Sequence, residues 1–309
     1  MAVAAVFPGQ GAQYVGMGVE LAERCPEARR VFARGSDAVG FDLLRLCREG
    51  PEEALRHTAN TQPAILVASL ACLATVPLEP ACAAGLSLGE YTALVCAGAL
   101  ELEDAARVVR LRGLYMQDAC AGRDTMMAAL LGLGLEGVEA VVREAGHLGV
   151  VEVSNVNGPD QVVIGGDAPA VRAAVELARA RGARRAVPLP VSAPFHTSLM
   201  EPAARRLVPV LEEIPIRPAR FPVFSNVSAA PVREPDEIRR ALLRQVSSPV
   251  LWEQSVRAMY DAGVRLFVEV GPGTTLSGLI RRTVPADVCH VEDWASREAA
   301  LGILGTRRL

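Results

Sequence analysis

Apolar positions follow two rhythms along this chain. Short apolar runs at Ala2–Phe7 and Pro80–Ala84, and Leu266–Val270 with one glutamate inside it, fit buried parallel strands, each followed by a glycine-containing turn. Helical spacing covers Val19–Arg34, Pro51–His57, Gln62–Thr75, Glu90–Ala97 and Leu102–Ala119, with Pro63 expected in a first turn. Core strands alternating with helices predict an α/β fold with a parallel sheet.

The middle of the chain changes pattern. Thr125–Leu131 reads as a strand, Glu136–Ala145 as a helix and Val150–Val156 as a strand. Asn157-Gly158-Pro159-Asp160 then turns into a strand at Gln161–Ile164. Asp167 is a candidate cap for a helix over Pro169–Arg181, stopped by Gly182, and a strand at Arg185–Leu189 ends at Pro190. The order β-α-β-β-α-β is that of a ferredoxin-like unit, so a small domain is expected at 123–191, inserted between 1–122 and 192–309. After it come a loop containing His196, a helix to Ile214, a strand near Pro222–Val227, two helices, and the last core strand before another helix.

Composition narrows the chemistry. Of 309 residues, 50% are hydrophobic and 22% charged, enough apolar surface for a large core. The net charge of −3 argues against a nucleic-acid binder working through a basic face. All 32 basic residues are arginine, which excludes a Walker-A lysine and any Schiff-base or pyridoxal-phosphate mechanism. Seven scattered cysteines show no metal-ligand spacing, and no H-E-x-x-H motif is present, so reduced thiols and no metal are expected. The start lacks a charged n-region, and the longest apolar stretch, Ala64–Val76, falls short of the ~20 residues that span a bilayer. A soluble, cytoplasmic protein without membrane contact is the expectation.

Gly85-Leu86-Ser87-Leu88-Gly89 lies between a candidate strand and a helix, the setting in which a tight elbow presents a serine hydroxyl. The plain alternative is a glycine-rich packing turn. A serine nucleophile needs a base. His196 sits in a loop stiffened by Pro190 and Pro194, whereas His57 and His147 lie near helix ends and His290 comes late in the chain. The Leu88 amide, at a helix N-terminus, suits a developing oxyanion. Arg112 is the most informative residue. Leu102, Ala105, Val109, Arg112, Met116 and Ala119 form one helical stripe, so this guanidinium faces the core while Arg107 and Arg110 do not. It needs an internal acid, carbonyl oxygens, or the carboxylate of a substrate held beside Ser87.

Read together, Phe7-Pro8-Gly9-Gln10-Gly11, Gly85–Tyr91, Arg112-Gly113, Asn155-Val156-Asn157, Ala193-Pro194-Phe195-His196 and Glu269–Gly273 resemble malonyl-CoA:acyl-carrier-protein transacylases and the related polyketide synthase acyltransferase domains. The resemblance runs from Phe7 to about Arg282. It implies an α/β-hydrolase-like large domain with the ferredoxin-like insertion. It further implies Ser87 as nucleophile, His196 as base, Arg112 as partner of the malonyl carboxylate, and Gln10 with the Leu88 amide as oxyanion hole. Gln245 would orient His196 through its backbone carbonyl, and Phe195 would favour malonyl over α-branched groups. Leu86 departs from the histidine or glutamine usual before the serine.

The implied reaction moves malonyl from coenzyme A to Ser87 and on to the phosphopantetheine thiol of an acyl carrier protein, with no cofactor. The pathway and the oligomeric state stay open, a monomer being compatible. Arg205-Arg206 and Arg281-Arg282 are candidate contacts for an acidic carrier, or ordinary surface. Two other readings compete: a serine hydrolase using His290 with Asp261 or Asp287, and a non-catalytic subunit that docks carrier proteins.

Overall fold

A computed structural model describes residues 2–191 and 193–306; Ser192, in the loop before His196, lies outside the described residues. The strand β1 (Ala2–Phe7) leads to helices α1 (Val19–Arg24), α2 (Pro26–Val39), α3 (Leu43–Glu49), α4 (Glu52–Arg56) and α5 (Thr58–Leu73). Next come β2 (Cys82–Gly85), α6 (Gly89–Cys96) and α7 (Leu102–Asp118). The middle holds β3 (Thr125–Leu131), α8 (Gly134–Ala145), β4 (Val151–Gly158), β5 (Gln161–Asp167), α9 (Ala168–Ala180) and β6 (Arg185–Pro188). Then follow α10 (Glu201–Glu213), β7 (Val223–Phe224), β8 (Pro231–Val232), α11 (Pro235–Gln245), β9 (Val250–Leu251) and α12 (Trp252–Asp261). The chain closes with β10 (Val264–Val270), α13 (Thr275–Thr283), β11 (Asp287–Val291) and α14 (Trp294–Thr306).

Six strands form one sheet in the order β11-β10-β1-β2-β7-β8, parallel except for the β7–β8 pair. Because side chains alternate across a strand, Ala5 and Phe7 of β1 pack into a core with α2, α5 and α7, while Ala4 and Val6 pack into another with α12 and α13. Both faces are therefore covered, which is why these strands read as largely apolar runs. The second sheet has the order β6-β3-β5-β4-β9, with β9 arriving from outside the middle segment to pair parallel with β4. Ala128 and Leu130 of β3 face α8 and α9, whereas Met127 and Ala129 face the large core. One face of the small sheet thus closes over the larger one.

Several sequence expectations change. The helix expected over Val19–Arg34 is two helices, because Pro26 starts a new one at its first position. The helix expected from Gln62 begins at Thr58, so Pro63 lies inside it, where the missing N–H forgoes the bond to the Ala59 carbonyl. Asp167 occupies the N-cap position of α9, yet its side chain makes no cap bond. It accepts instead from both Arg123 Nε and Nη2, at 2.6 and 2.9 Å, and from the Val150 amide. Helices α3 and α14 and strands β8, β9 and β11 were not anticipated. Among the described residues no helix is long and apolar enough to cross a membrane.

Candidate active site

The elbow is built by backbone contact. A Cβ on Gly85 would fall 1.9 Å from the Gly89 carbonyl carbon, and one on Gly89 would fall 2.1 Å from the Phe7 carbonyl oxygen. Only glycine fits at either place, and the turn between them drives Ser87 to φ 54°, in the left-handed region. Asn226, just after β7, ties the turn together. Its Oδ1 accepts from the Ser87 amide at 2.7 Å and its Nδ2 donates to the Gly85 carbonyl at 2.7 Å.

His196 also has positive φ, 61°, and is buried. Its Nε2 lies 2.6 Å from Ser87 Oγ, and its Nδ1 lies 2.7 Å from the Gln245 carbonyl oxygen. A carbonyl only accepts, so Nδ1 carries the hydrogen and Nε2 is left to accept from the serine. Burial, and then the charge of Arg112, push the His196 pKa down to about 3. The imidazole is therefore neutral at physiological pH and able to take a proton.

Arg112 reaches the same point from α7. That helix runs close against α5 because residue 113 is glycine: a Cβ there would meet the Thr58 carbonyl oxygen at 2.7 Å and the Ala59 Cα at 2.8 Å. Arg112 as a whole is 2% exposed. Nη1 donates to Gln62 Oε1 at 2.9 Å, and Nη2 donates to Gln245 Oε1 at 2.9 Å and to Ser87 Oγ at 3.1 Å. All three acceptors are neutral. No ion pair among the described residues involves Arg112, and burial lowers its pKa against the raising influence of Tyr91 and Glu90. Behind the elbow, Glu90 is buried. Desolvation raises its pKa to about 7, although bonds from Gln245 and Asn226 oppose the shift.

These groups open onto a cleft of about 150 Å³ between the sheets. Gln10, Gln62, Ser87, Arg112 and His196 line it from the large-sheet side. Met127, Asn155, Asn157 and Val163 face them from the small sheet, and Phe195 and Leu86 complete apolar parts of the wall. Gln10 Nε2 is held by Thr58 Oγ1 at 3.3 Å, and Leu88 stands at the N-cap position of α6.

The structure thus brings Ser87, His196, Arg112, Gln10 and Phe195 to one cleft, with Gln245 behind the histidine and Leu88 in the elbow. It does not bring in the other histidines. His57 and His147 are exposed, and His290 lies on β11, the edge strand of the large sheet, which removes the basis for the hydrolase arrangement. Nor are the arginine pairs simply free surface. Arg205 pairs with Glu201, Arg206 pairs with Asp118 and stacks 3.9 Å over Tyr115, and Arg281 donates to the Val288 carbonyl. Sequence reasoning missed Gln62 and Asn226. A glutamine directly before the apolar run Pro63–Ala68 of α5 was the available signal for the first.

The acyl transferase domain family matches residues 5–303. A malonyl CoA-acyl carrier protein transacylase of Bacillus subtilis (strain 168) is 45% identical over 286 residues, 91% of this chain and 90% of that protein. Among solved structures, an acyl carrier protein S-malonyltransferase from Vibrio cholerae aligns with TM-score 0.94 and 42% identity, covering 97% of this chain and all of the other. A malonyl-transacylase solved in complex with its holo type II PKS acyl-carrier protein aligns with TM-score 0.95 and 42% identity, over 98% of this chain and 100% of that one. The chain belongs to the acyl transferase family, within the group of malonyl CoA-acyl carrier protein transacylases. It is an acyltransferase.

Proposed function

We propose that this acyltransferase moves a malonyl group from malonyl-CoA to the phosphopantetheine thiol of an acyl carrier protein through an ester on Ser87. The observation that carries this reading is the placement of Arg112. A buried cation with only neutral partners, 3.1 Å from the serine oxygen, suits a carboxylate that arrives with the substrate. Malonyl-CoA supplies one, and the relatives' names agree.

His196 Nε2 takes the Ser87 proton as Oγ attacks the thioester carbonyl. The Leu88 amide and Gln10 stabilise the oxyanion, and the Gln245 carbonyl holds the imidazolium. Collapse expels the coenzyme A thiolate, which takes the proton from His196. The carrier thiol then gives its proton to His196 and attacks the seryl ester; malonyl passes to the new sulfur, and the departing Ser87 oxygen takes the proton back from His196. No cofactor is required. Phe195, lining the cleft, narrows the space beside the malonyl α-carbon.

In this reading residues 1–122 and 192–309 form the α/β-hydrolase-like catalytic domain, and residues 123–191 form the ferredoxin-like domain. The strand orders support that division, with β3, β4, β5 and β6 lying in the order β6-β3-β5-β4. The holo-carrier complex of a related transacylase supports an acyl carrier protein as partner. The test is intact-mass measurement after mixing with malonyl-CoA, then with a holo carrier protein. A malonyl adduct that forms on the enzyme, moves to the carrier and is absent in Ser87→Ala is expected. Transfer that persists in Ser87→Ala overturns the scheme.

A further inference from the structure

The Gln245 side chain sits between a cation and an anion, and the way round it sits decides whether Arg112 is held. Its Oε1 accepts from Arg112 Nη2 at 2.9 Å. Its Nε2 donates to Glu90 Oε2 at 2.7 Å and to the Ser87 carbonyl at 2.9 Å. A guanidinium has donors only, and Glu90 Oε2 acts as an acceptor toward both the Gln245 and the Asn226 nitrogens. Turning the amide over would set nitrogen against the guanidinium and oxygen against the carboxylate. Glu90 is buried, and no ion pair among the described residues involves it. Its other contact from Oε2 is the Asn226 amide at 3.1 Å, and Asn226 is the residue that ties Ser87 and Gly85 together.

We propose that Glu90 is a positioning residue for substrate selection: by fixing the orientation of the Gln245 amide, it holds Arg112 where a substrate carboxylate can meet it. The proposal rests on the malonyl-transfer reading above. Glu90 touches neither substrate nor reacting atoms; it acts through the reach of its carboxylate oxygen. Shortening that reach leaves the amide nitrogen held by the Ser87 carbonyl alone, so Gln245 braces the guanidinium less firmly while Gln62 keeps its own bond.

The test compares kcat/KM for malonyl-CoA and acetyl-CoA, with a holo carrier protein as acceptor, in the wild type, Arg112→Ala, Glu90→Asp and Glu90→Gln. Glu90→Asp keeps the charge but withdraws the acceptor. Its preference for malonyl over acetyl should fall ~10-fold, mostly through a higher KM for malonyl-CoA, as expected for a lost bond to a charged group. Glu90→Gln keeps the length and an oxygen acceptor, and should hold the preference within ~3-fold of the wild type. If Glu90→Asp does not fold, Glu90→Met, which keeps the length without an acceptor, carries the same expectation. Equal losses for both donors in the folded variant would make Glu90 a structural residue only and overturn the proposal. A wild type and Arg112→Ala with the same preference would instead overturn the malonyl reading itself.

Discussion

Arginine is handled in two ways in this protein, and the contrast separates the outer surface from the corner of the cleft. Many surface arginines pair with acids: Arg34 with Glu103 at 2.6 Å, Arg123 with Asp167 at 2.6 Å, and Arg206 with Asp118 at 2.9 Å. In each pair at least one side chain is substantially exposed, so solvent screens the attraction. At the corner, Arg112 is buried and meets amide and hydroxyl oxygens instead. A cation sealed against its own acid would bind nothing further. One supported by neutral oxygens keeps its charge for an incoming anion, at a desolvation cost that the folded protein carries throughout. Carbonyl partners also serve less buried arginines such as Arg110 and Arg281, so full burial and neutral partners together mark Arg112 as functional.

The strongest way to break the contrast is to remove the base beside the corner. His196→Ala should lower malonyl transfer on the order of 1,000-fold or more, whereas His290→Ala should leave it within about 2-fold. Steady-state transfer to a holo carrier protein reads both. Gly113→Ala attacks the packing that carries Arg112, because its Cβ would press on the α5 backbone. A stability loss of about 1–3 kcal/mol by denaturant titration is expected, together with a weaker preference for malonyl over acetyl.

The pH profile sharpens the picture further. An uncharged donor such as acetyl-CoA reports on His196 without involving the carboxylate contact. The histidine must be neutral to act, and its pKa in the free protein is lowered to about 3, so it stays unprotonated across the range in which an ordinary histidine titrates. The profile of kcat/KM should therefore show no acid limb near the usual histidine value; a fall centred there would contradict the assigned environment. The smallest effect belongs to the surface. Arg34→Ala should cost at most about 1 kcal/mol by thermal or denaturant unfolding and leave donor preference unchanged.

Much of this was legible in the chain itself. The glycines on both sides of Ser87 announced a turn that no other residue permits, and the helical stripe announced that Arg112 points inward. The largely apolar runs marked the central parallel strands, since both of their faces are covered. Other features left no local trace. Asn226 contacts Ser87 across 139 positions, and a single asparagine after a two-residue strand has no periodicity to betray it. β9 is two residues long and exists because β4 offers it an edge. Asp167 looked like a helix cap because its position is right, but Arg123, 44 residues away, claims both carboxylate oxygens. Glu90 stood in the open within the glycine-serine motif, and only the geometry gave it an assignment through Gln245 and Asn226.

The central claim is that Arg112 reads a substrate carboxylate, and donor competition tests it most directly. Wild type and Arg112→Ala are each given equal malonyl-CoA and acetyl-CoA with a holo carrier protein, and the acyl-enzyme and acyl-carrier masses are measured. Wild type should carry malonyl almost alone, while Arg112→Ala should shift toward acetyl by roughly 10- to 100-fold, the scale of one or two charge-assisted bonds. An Arg112→Ala enzyme that stays folded and keeps the wild-type ratio would contradict the account.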